Sequence, residues 1–545
     1  MTRGTKQLLT SSHWGVGLVE IEDGEITNVH GHPDDPTPSA LNNNIPASLK
    51  GAARVRRPAV RTSWLDGTQG KRGEDPFVEV SWERALDLIA AELTRVRAEY
   101  GNSAIYAGSY GWASAGRFHH AQSQLKRFLN TQGGFVRSES NYSYNTALVT
   151  MPYIVGDGFR QNLAEATRFS VIARESDLVV SFGGLALRNM QICDGGNSKH
   201  RIPGLLAECA QRGVKFVNIS PMRTDMDASL KAEWLAPQPG SDTAMMMGLA
   251  HTLLDEGLHD PAFLDRYTVG FDKVAAYLMV NSDGVVKDAD WAAAQSGLDA
   301  VRIRTLAREM AASRTMITCA AGLQRADFGE QPLWMVVTLA AMLGQIGLPG
   351  GGYGIGYAVN GHVGAIGRPF NWGSLPQGDN PVEDFIPVAM VSELLLNPGG
   401  SYQYEGETRR FPDTRMVWWA GGNPFHHHQD LNRLRDAFQR PETIIVNELS
   451  WTATARHADI VLPIAAPQER RDFGAGKTDN ILVPMPKLVE PVGEARAEYD
   501  IFTDLARRLG NEQAFTEGRS EEQWLQNLWE FTAQEAKALG VDLPV

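Results

Sequence analysis

Cysteine is scarce. Three occur in 545 residues, Cys193, Cys209 and Cys319, far apart and with no C-x-x-C pair. Thiolate-held iron–sulfur clusters generally take four such ligands, so the chain is expected to carry no iron–sulfur cluster. The same scarcity excludes a disulfide framework, and the three thiols read as small core hydrophobes. Long apolar runs are lacking too. No segment approaches the twenty or so uninterrupted apolar residues of a membrane span. The N-terminal MTRGTKQLLTSSHWG carries neither an apolar run nor a twin arginine, so no export signal is read there. The chain reads as soluble and cytoplasmic, with no membrane partner. Positive charge is short as well: 51 Lys and Arg face 64 Asp and Glu, a net charge of -13. Nucleic-acid binders show the opposite sign or a basic stripe, and the densest groups here (Arg54 to Arg61, Arg409 to Arg410, Arg470 to Arg471) are short. An anionic ligand would have to be held by local arginines against the overall field. Neither H-E-x-x-H nor G-x-S-x-G occurs.

What is present is ordinary globular material, 43% hydrophobic and 21% charged, enough for about three or four domains. Glu20 to Ile26 is a hairpin candidate with an Asp23-Gly24 turn. Pro33 to Ser48 is expected to be loop. From Ser81 the pattern turns α/β. Ser81 is placed to cap a helix with Leu86, Ile89, Leu93 and Val96 on one face. A short strand follows at Ala104 to Ala107, then a helix near His119 to Leu129. Further strands are expected at Asp177 to Phe182, Val214 to Val217, Met316 to Ala320, Met416 to Trp419, Thr443 to Val446 and Asp459 to Leu462. Small and amide residues follow five of them: Gly183-Gly184, Asn218 to Pro221, Gly322 to Arg325, Gly421 to Pro424 and Asn447-Glu448. Open parallel sheets bind ligands at the carboxyl ends of their strands, and such loops let backbone approach phosphate closely. Five together point to a large nucleotide-like ligand. Gly347 to Gly356 is read as a connector between domains in preference to a phosphate cradle.

Two motifs are set aside. Gly474-Ala475-Gly476-Lys477-Thr478 resembles the end of a P-loop, but Arg471 stands where its first glycine belongs and no helix follows. His426-His427-His428 would point consecutive rings in different directions, whereas catalytic zinc takes convergent ligands.

Four stretches carry a resemblance. They are GSYGWASAGRFHHAQSQLKRFLN (from Gly108), NYSYNTALVTMPYIVG (from Asn141), GGNPFHHHQDLNRL (from Gly421) and WTATARHADIVLPIAAPQER (from Trp451). With the tail EYDIFTDLARRLG they resemble the dimethyl sulfoxide reductase family of molybdopterin oxidoreductases, in order and over nearly the whole chain. The resemblance implies an α/β, multi-domain fold with doubly wound, mostly parallel sheets and a small β-rich N-terminal part. The implied divisions are residues 1–58, the β-rich part; 59–165, an α/β domain carrying the metal-ligand loop; 166–360, a second α/β domain for the dinucleotide; 361–410, a connecting segment; and 411–545, a return to the first α/β domain.

It also implies a cofactor, molybdenum between two molybdopterin guanine dinucleotides, and its ligand positions. Ser143 matches the serine that ligates the metal; composition alone would make it a turn serine. Tyr110 and Trp112 match the aromatic pair over the metal, although an aromatic core cluster is their bland alternative. Gly111, Ala113 and Ser114 flank that pair in the cofactor stretch. Arg188 and Asn189, Ile219 and Ser220, and Gly240-Ser241-Asp242 match dinucleotide contacts, with Asp242 either capping a helix or accepting from guanine. Ala321, Gly322, Arg325, Asn423, His427, Asn447, Glu448, Arg470 and Asp500 match the rest. For any single one a structural role competes.

The implied activity is oxygen-atom transfer from an S-oxide of the biotin sulfoxide or methionine sulfoxide type. Trimethylamine N-oxide or dimethyl sulfoxide reduction is the alternative, and a non-catalytic cofactor-binding or assembly subunit is the alternative of another class. Electrons would come from a reduced nicotinamide or a small redox protein, and the complete protein is expected to be a monomer. Family members continue past the position of Val545 into a further domain, so the sequence is expected to end before it.

Overall fold

Apolar strands alternating with amphipathic helices give two parallel sheets in the computed structural model of the chain. It describes residues 8–543 apart from 111–114, 157, 194, 197–198, 280–282, 366–370 and 477–480. The helix Trp82–Tyr100 shows how local rules act: Ser81 accepts from the Arg84 N–H, and Leu86, Ile89, Leu93 and Val96 are buried. It stops at Gly101, whose φ of 79° suits glycine.

The first sheet has six strands in the order Phe77–Glu79, Ala59–Arg61, Ile460–Pro463, Thr443–Glu448, Met416–Ala420 and Ile105–Gly108. The last four are mutually parallel, and the first two are antiparallel at one edge. The second sheet is wholly parallel: Glu233–Leu235, Lys215–Ile219, Leu178–Phe182, Thr315–Cys319 and Gly352–Ile355. Leu178–Phe182 and Thr315–Cys319 are buried at every residue, as expected of parallel strands covered on both faces. A three-stranded antiparallel sheet, Leu8–Ser12, Gly15–Glu22 and Glu25–Gly31, forms the N-terminal part. Its hairpin turns at Asp23 and Gly24, with φ of 50° and 78°, the left-handed pair a tight hairpin requires.

Three expectations are corrected. Gly347 to Gly356 is no plain connector, because Gly352–Ile355 pairs with Thr315–Cys319 as the sheet's edge. Glycine lowered the strand signal, and burial against a neighbour restored it. Pro33 to Ser48 is not all loop: it holds the 3-10 turn Ala40–Asn44 and the start of the helix Ile45–Lys50. Asp242 does not cap its helix. Ser241 occupies the cap position, and Asp242 lies in the first turn of Asp242–Asp255.

The P-loop look-alike lies in an antiparallel pair, Asp472–Ala475 with Leu482–Met485; Lys477 and Thr478 lie outside the described residues. All three cysteines are buried and none forms a disulfide. Among the described residues no helix is long and apolar enough to cross a membrane.

The two sheets are joined where function would sit. The strand Arg137–Glu139 runs beside Ile105–Gly108, with Val136 bridging Tyr106. The chain then turns through residues 140–144 into the helix Asn145–Val155, whose Ala147 and Met151 are buried in the second sheet's core. Ser143 therefore stands at the crossing from one sheet to the other.

Candidate cofactor and catalytic site

Tyr110 leaves the carboxyl end of Ile105–Gly108, and its N–H donates to the Gly421 carbonyl at 3.2 Å. The neighbouring strand Met416–Ala420 ends in Gly421-Gly422. At Gly422, φ is 85° and a Cβ would lie 2.4 Å from the Tyr110 ring, so only glycine lets these loops pack. Around Tyr110 stand Trp419, Tyr142, His427 and His428, with ring centroids 5.4, 6.3, 4.6 and 6.4 Å away. The Tyr110 hydroxyl is buried and has no partner among the described residues. Burial and the neighbouring tyrosines raise its pKa, so it keeps its proton and remains a donor. Beside it, His428 shares a 2.9 Å hydrogen bond with the Tyr142 hydroxyl through Nδ1, while its buried Nε2 is unpartnered. Burial, aided by His427, pushes the His428 ring down to about 4, so it is neutral near pH 7.

Ser143 is half-buried and follows an Asn141 turn: the Asn141 Oδ1 accepts from the Ser143 and Tyr144 N–H groups at 2.9 and 2.8 Å. Its carbonyl accepts from Gln324 Nε2 at 3.3 Å and Arg325 at 3.5 Å, both from the turn after Thr315–Cys319. Its Oγ makes no hydrogen bond with a described residue. The expected Gly111, Trp112, Ala113 and Ser114 lie outside the described residues.

The remaining expected contacts lie mostly at carboxyl ends of strands. Ala321 is buried and Gly322 exposed in the turn after Thr315–Cys319, and Arg325 is exposed. Arg188 and Asn189 are exposed on the short helix after Leu178–Phe182; Arg188 pairs with Asp225, which also accepts from the Ser220 hydroxyl at 2.5 Å. Ile219 ends its strand and accepts from the Gly183 N–H. Gly240, with φ of 84°, leads into Ser241, whose hydroxyl donates to the Gln238 carbonyl. Asn423 Oδ1 accepts from Thr454 at 2.5 Å, and His427 is exposed beside Tyr110. Asn447 is buried; its Oδ1 accepts from Trp418 at 3.0 Å, and its Nδ2 is unpartnered. Arg470 is buried and ion-paired with Glu498 at 2.7 Å, so its charge is balanced within the chain. Asp500 lies in the first turn of Glu498–Arg508, its pKa raised by burial.

Molybdenum with molybdopterin fits this arrangement. Among the described residues the Tyr110 hydroxyl and the Asn447 Nδ2 are buried without partners, and Glu448 and Asp242 are desolvated carboxyls, polar groups left open to a polar ligand. Burial pushes Glu448 up to about 7 and Asp242 up to about 6. A carboxyl raised by folding stabilises the fold below its unfolded value, 4.5 for Glu448, and that contribution is lost as pH rises through about 7. The cofactor-free protein is therefore expected to lose thermal stability between about pH 5 and about pH 7.5, and Glu448→Gln to flatten the slope. Melting curves of both proteins across that window check this, and equal slopes would refute it.

Asn141, Tyr142, Gln324 and His428 were not among the sequence-based candidates. A signal existed for two: Asn two residues before Ser143 is an Asx-turn former, and Gln324 adjoins Arg325. Nothing local marked the pairing of Tyr142 with His428. The histidine run forms no metal site: among the described residues no group of three or more His, Cys, Asp or Glu could hold an ion.

Known proteins match this chain throughout. The family model "Molybdopterin oxidoreductase" covers residues 54–508, and "Molybdopterin oxidoreductase N-terminal domain" covers 10–49. A biotin sulfoxide reductase of Cereibacter sphaeroides is 46% identical over 510 residues, covering 92% of this chain and 68% of the relative. A dimethyl sulfoxide/trimethylamine N-oxide reductase of the same organism is 40% identical, covering 99% and 67%. A trimethylamine-N-oxide reductase of Haemophilus influenzae is 39% identical over the same shares. The chain thus spans about two thirds of these relatives' length. Acetylene hydratase from Pelobacter acetylenicus shares the fold, with a TM-score of 0.62 at 18% identity over 94% of this chain and 72% of that one. The paired parallel sheets, the glycine and amide turns at their carboxyl ends and these matches make the chain a member of the molybdopterin oxidoreductases of the dimethyl sulfoxide reductase type.

Proposed function

We propose that this chain reduces an S-oxide of the biotin sulfoxide or methionine sulfoxide type, using molybdenum held by two molybdopterin guanine dinucleotides. The observation that carries the reading is the buried, unpartnered Tyr110 hydroxyl, whose ring packs 6.3 Å from that of Tyr142, the residue before the doubly held Ser143. The cofactor, when bound, supplies two-electron oxygen-atom transfer. Ser143 would be the protein's ligand to the metal. Tyr110, still protonated at neutral pH, would donate to the sulfoxide oxygen and orient it. The neutral His428 and the aromatic rings around Tyr110 keep cationic charge out of that corner, which suits a polar but uncharged S–O group. Trp112 would wall the pocket. Asp242 and Glu448 would accept from the amino-bearing rings, and Arg188 and Arg325 would meet phosphates. With only three buried cysteines, no iron–sulfur cluster is placed here, and electrons would arrive from a reduced nicotinamide or a small redox protein.

Protein from a molybdenum-replete host should contain about two guanine nucleotides per molybdenum and no stoichiometric iron. A cluster-like absorption with iron would sink this reading. Turnover of methionine sulfoxide, biotin sulfoxide, dimethyl sulfoxide and trimethylamine N-oxide should rank the first two highest in kcat/KM; the reverse order would favour the N-oxide alternative. Tyr110→Phe keeps the ring packing and removes one hydrogen bond. It should lower kcat roughly tenfold, the worth of one bond to developing charge, without lowering metal content. Unchanged kcat would remove Tyr110 from the reaction.

A further inference from the structure

Gln324 sits in the turn that ends Thr315–Cys319 and is 5% exposed. A glutamine amide offers acceptor capacity and two donors, and here both ends are used. Its Oε1 accepts from the Ala147 N–H at 3.0 Å, and its Nε2 donates to the Ser143 carbonyl at 3.3 Å and the Ala321 carbonyl at 3.1 Å. Its own carbonyl accepts from the Thr146 hydroxyl at 3.4 Å. Three of these four bonds reach the segment 143–147, from a residue 181 positions away in sequence. The turn is braced from behind: a Cβ on Gly329 would lie 2.1 Å from the Gln324 carbonyl oxygen, so residues 325–329 fold tightly against it.

Ser143 is thus gripped from both sheets. Asn141, on the first-sheet side, holds its N–H; Gln324, on the second-sheet side, holds its C=O. With both peptide groups fixed, the Oγ has only its χ1 rotation left. We propose that Gln324 is a positioning residue, whose amide locks the backbone around Ser143 and so sets where the Ser143 Oγ points. The inference rests on reading Ser143 as the metal's ligand. Glutamine is the residue the geometry demands. Glutamate would still accept from Ala147 but would turn a carboxylate toward the Ser143 and Ala321 carbonyls. Methionine would fill the space but take the acceptor from the Ala147 N–H and leave the Ser143 carbonyl only its long contact with Arg325, a costly outcome in a buried place.

The test uses the molybdenum-loaded enzyme with Q324E, Q324M and S143A. Both Gln324 variants should lose roughly 10- to 100-fold in kcat, the cost of misplacing a reacting group by about an ångström. KM should stay within about twofold, and molybdenum content should hold. X-ray absorption at the molybdenum edge should show a weakened alkoxide contribution. In the cofactor-free protein, amide exchange should accelerate across residues 141–148 and not in the strand Thr315–Cys319. Unchanged exchange across 141–148 overturns the proposal. So does acceleration throughout the fold with the alkoxide signal intact, since a merely structural glutamine would give that result. S143A separates the two levels. If its metal spectrum matches wild type, the ligand reading fails, while the exchange measurement still decides whether Gln324 holds the loop.

Discussion

Replacing Ser143 with alanine is expected to cut sulfoxide turnover by more than about 100-fold, beyond the cost of removing an outer partner of a metal site, while leaving the fold intact. The structure separates the two effects. The Ser143 Oγ makes no hydrogen bond to a described residue, so its loss strands no buried partner. The backbone of the loop is held by Asn141 and Gln324, and neither contact involves the Oγ. Stability should therefore stay within about 0.5 kcal/mol of wild type, as for a substitution away from core and caps. The chemistry has no such cover. Tyr142 and Tyr144 flank the position with phenols of their own, but a backbone gripped on both sides cannot rotate either into the serine's place. Turnover and melting temperature measured on the same preparation check both halves. Full activity with an unchanged metal spectrum would show that Ser143 is only the turn serine its polar surroundings suggest.

Much of this architecture is legible in the sequence, and the reason is burial. Strands such as Leu178–Phe182 and Met416–Ala420 have a paired strand on each side, so every residue is buried and apolar or small, and the run stands out between amphipathic helices. The two edge strands of the second sheet fail for the opposite reason. Gly352–Ile355 carries two glycines, and Glu233–Leu235 exposes its charge; each becomes a strand only because a neighbour offers its edge. Helix starts divide the same way. Ser81 does what a capping serine does, whereas Asp242 looked like a cap and is a first-turn carboxylate one position later, because tertiary packing, not side-chain propensity, chose the first helical residue.

The site shows a sharper division. Ser143, Tyr110 and the glycine turns stand out because their motifs are long and contiguous. Their supporting shell does not, because its pairs are assembled across the chain. The Tyr142–His428 and Gln324–Ser143 contacts join residues 286 and 181 positions apart, and nothing near either residue in the sequence marks its partner. What the sequence conceals is thus the geometry that gives the visible residues their direction: which carbonyl an amide faces, and which imidazole nitrogen is left without a partner.

The opposite end of the first sheet carries the second large expected effect, on stability. Asp459 is fully buried just before the strand Ile460–Pro463. Its carboxylate accepts from Arg61 Nε at 2.8 Å, from Arg72 at 2.6 and 3.0 Å, and from the Ile444 N–H at 2.8 Å. Arg72 goes on to the Phe438 and Pro441 carbonyls at 2.8 Å, and Arg61 to Asp75 at 2.6 Å. Asp459 thus serves two buried guanidinium groups, one of them shared with Asp75, and ties the loop before Thr443–Glu448 to the antiparallel edge. Asp459→Ala would leave Arg72 without a carboxylate partner in the interior and Arg61 with Asp75 alone, and breaking a buried pair in this way costs about 3–5 kcal/mol. That is a large share of the roughly 5–15 kcal/mol that holds a domain folded. Asp459→Asn, which keeps one acceptor oxygen but not the charge, should fall between. Because the network lies at the amino ends of the parallel strands and the candidate site residues Tyr110 and Asn447 at their carboxyl ends, folded mutant protein should retain wild-type KM while less of it survives heating. Chemical unfolding followed by tryptophan fluorescence, which reports on the buried Trp418 and Trp419 of the adjacent strand, measures the loss directly. A midpoint shift equivalent to less than about 1 kcal/mol for Asp459→Ala would mean that the arginines find water or other partners, and that apolar packing of the central strands holds this end of the sheet without them.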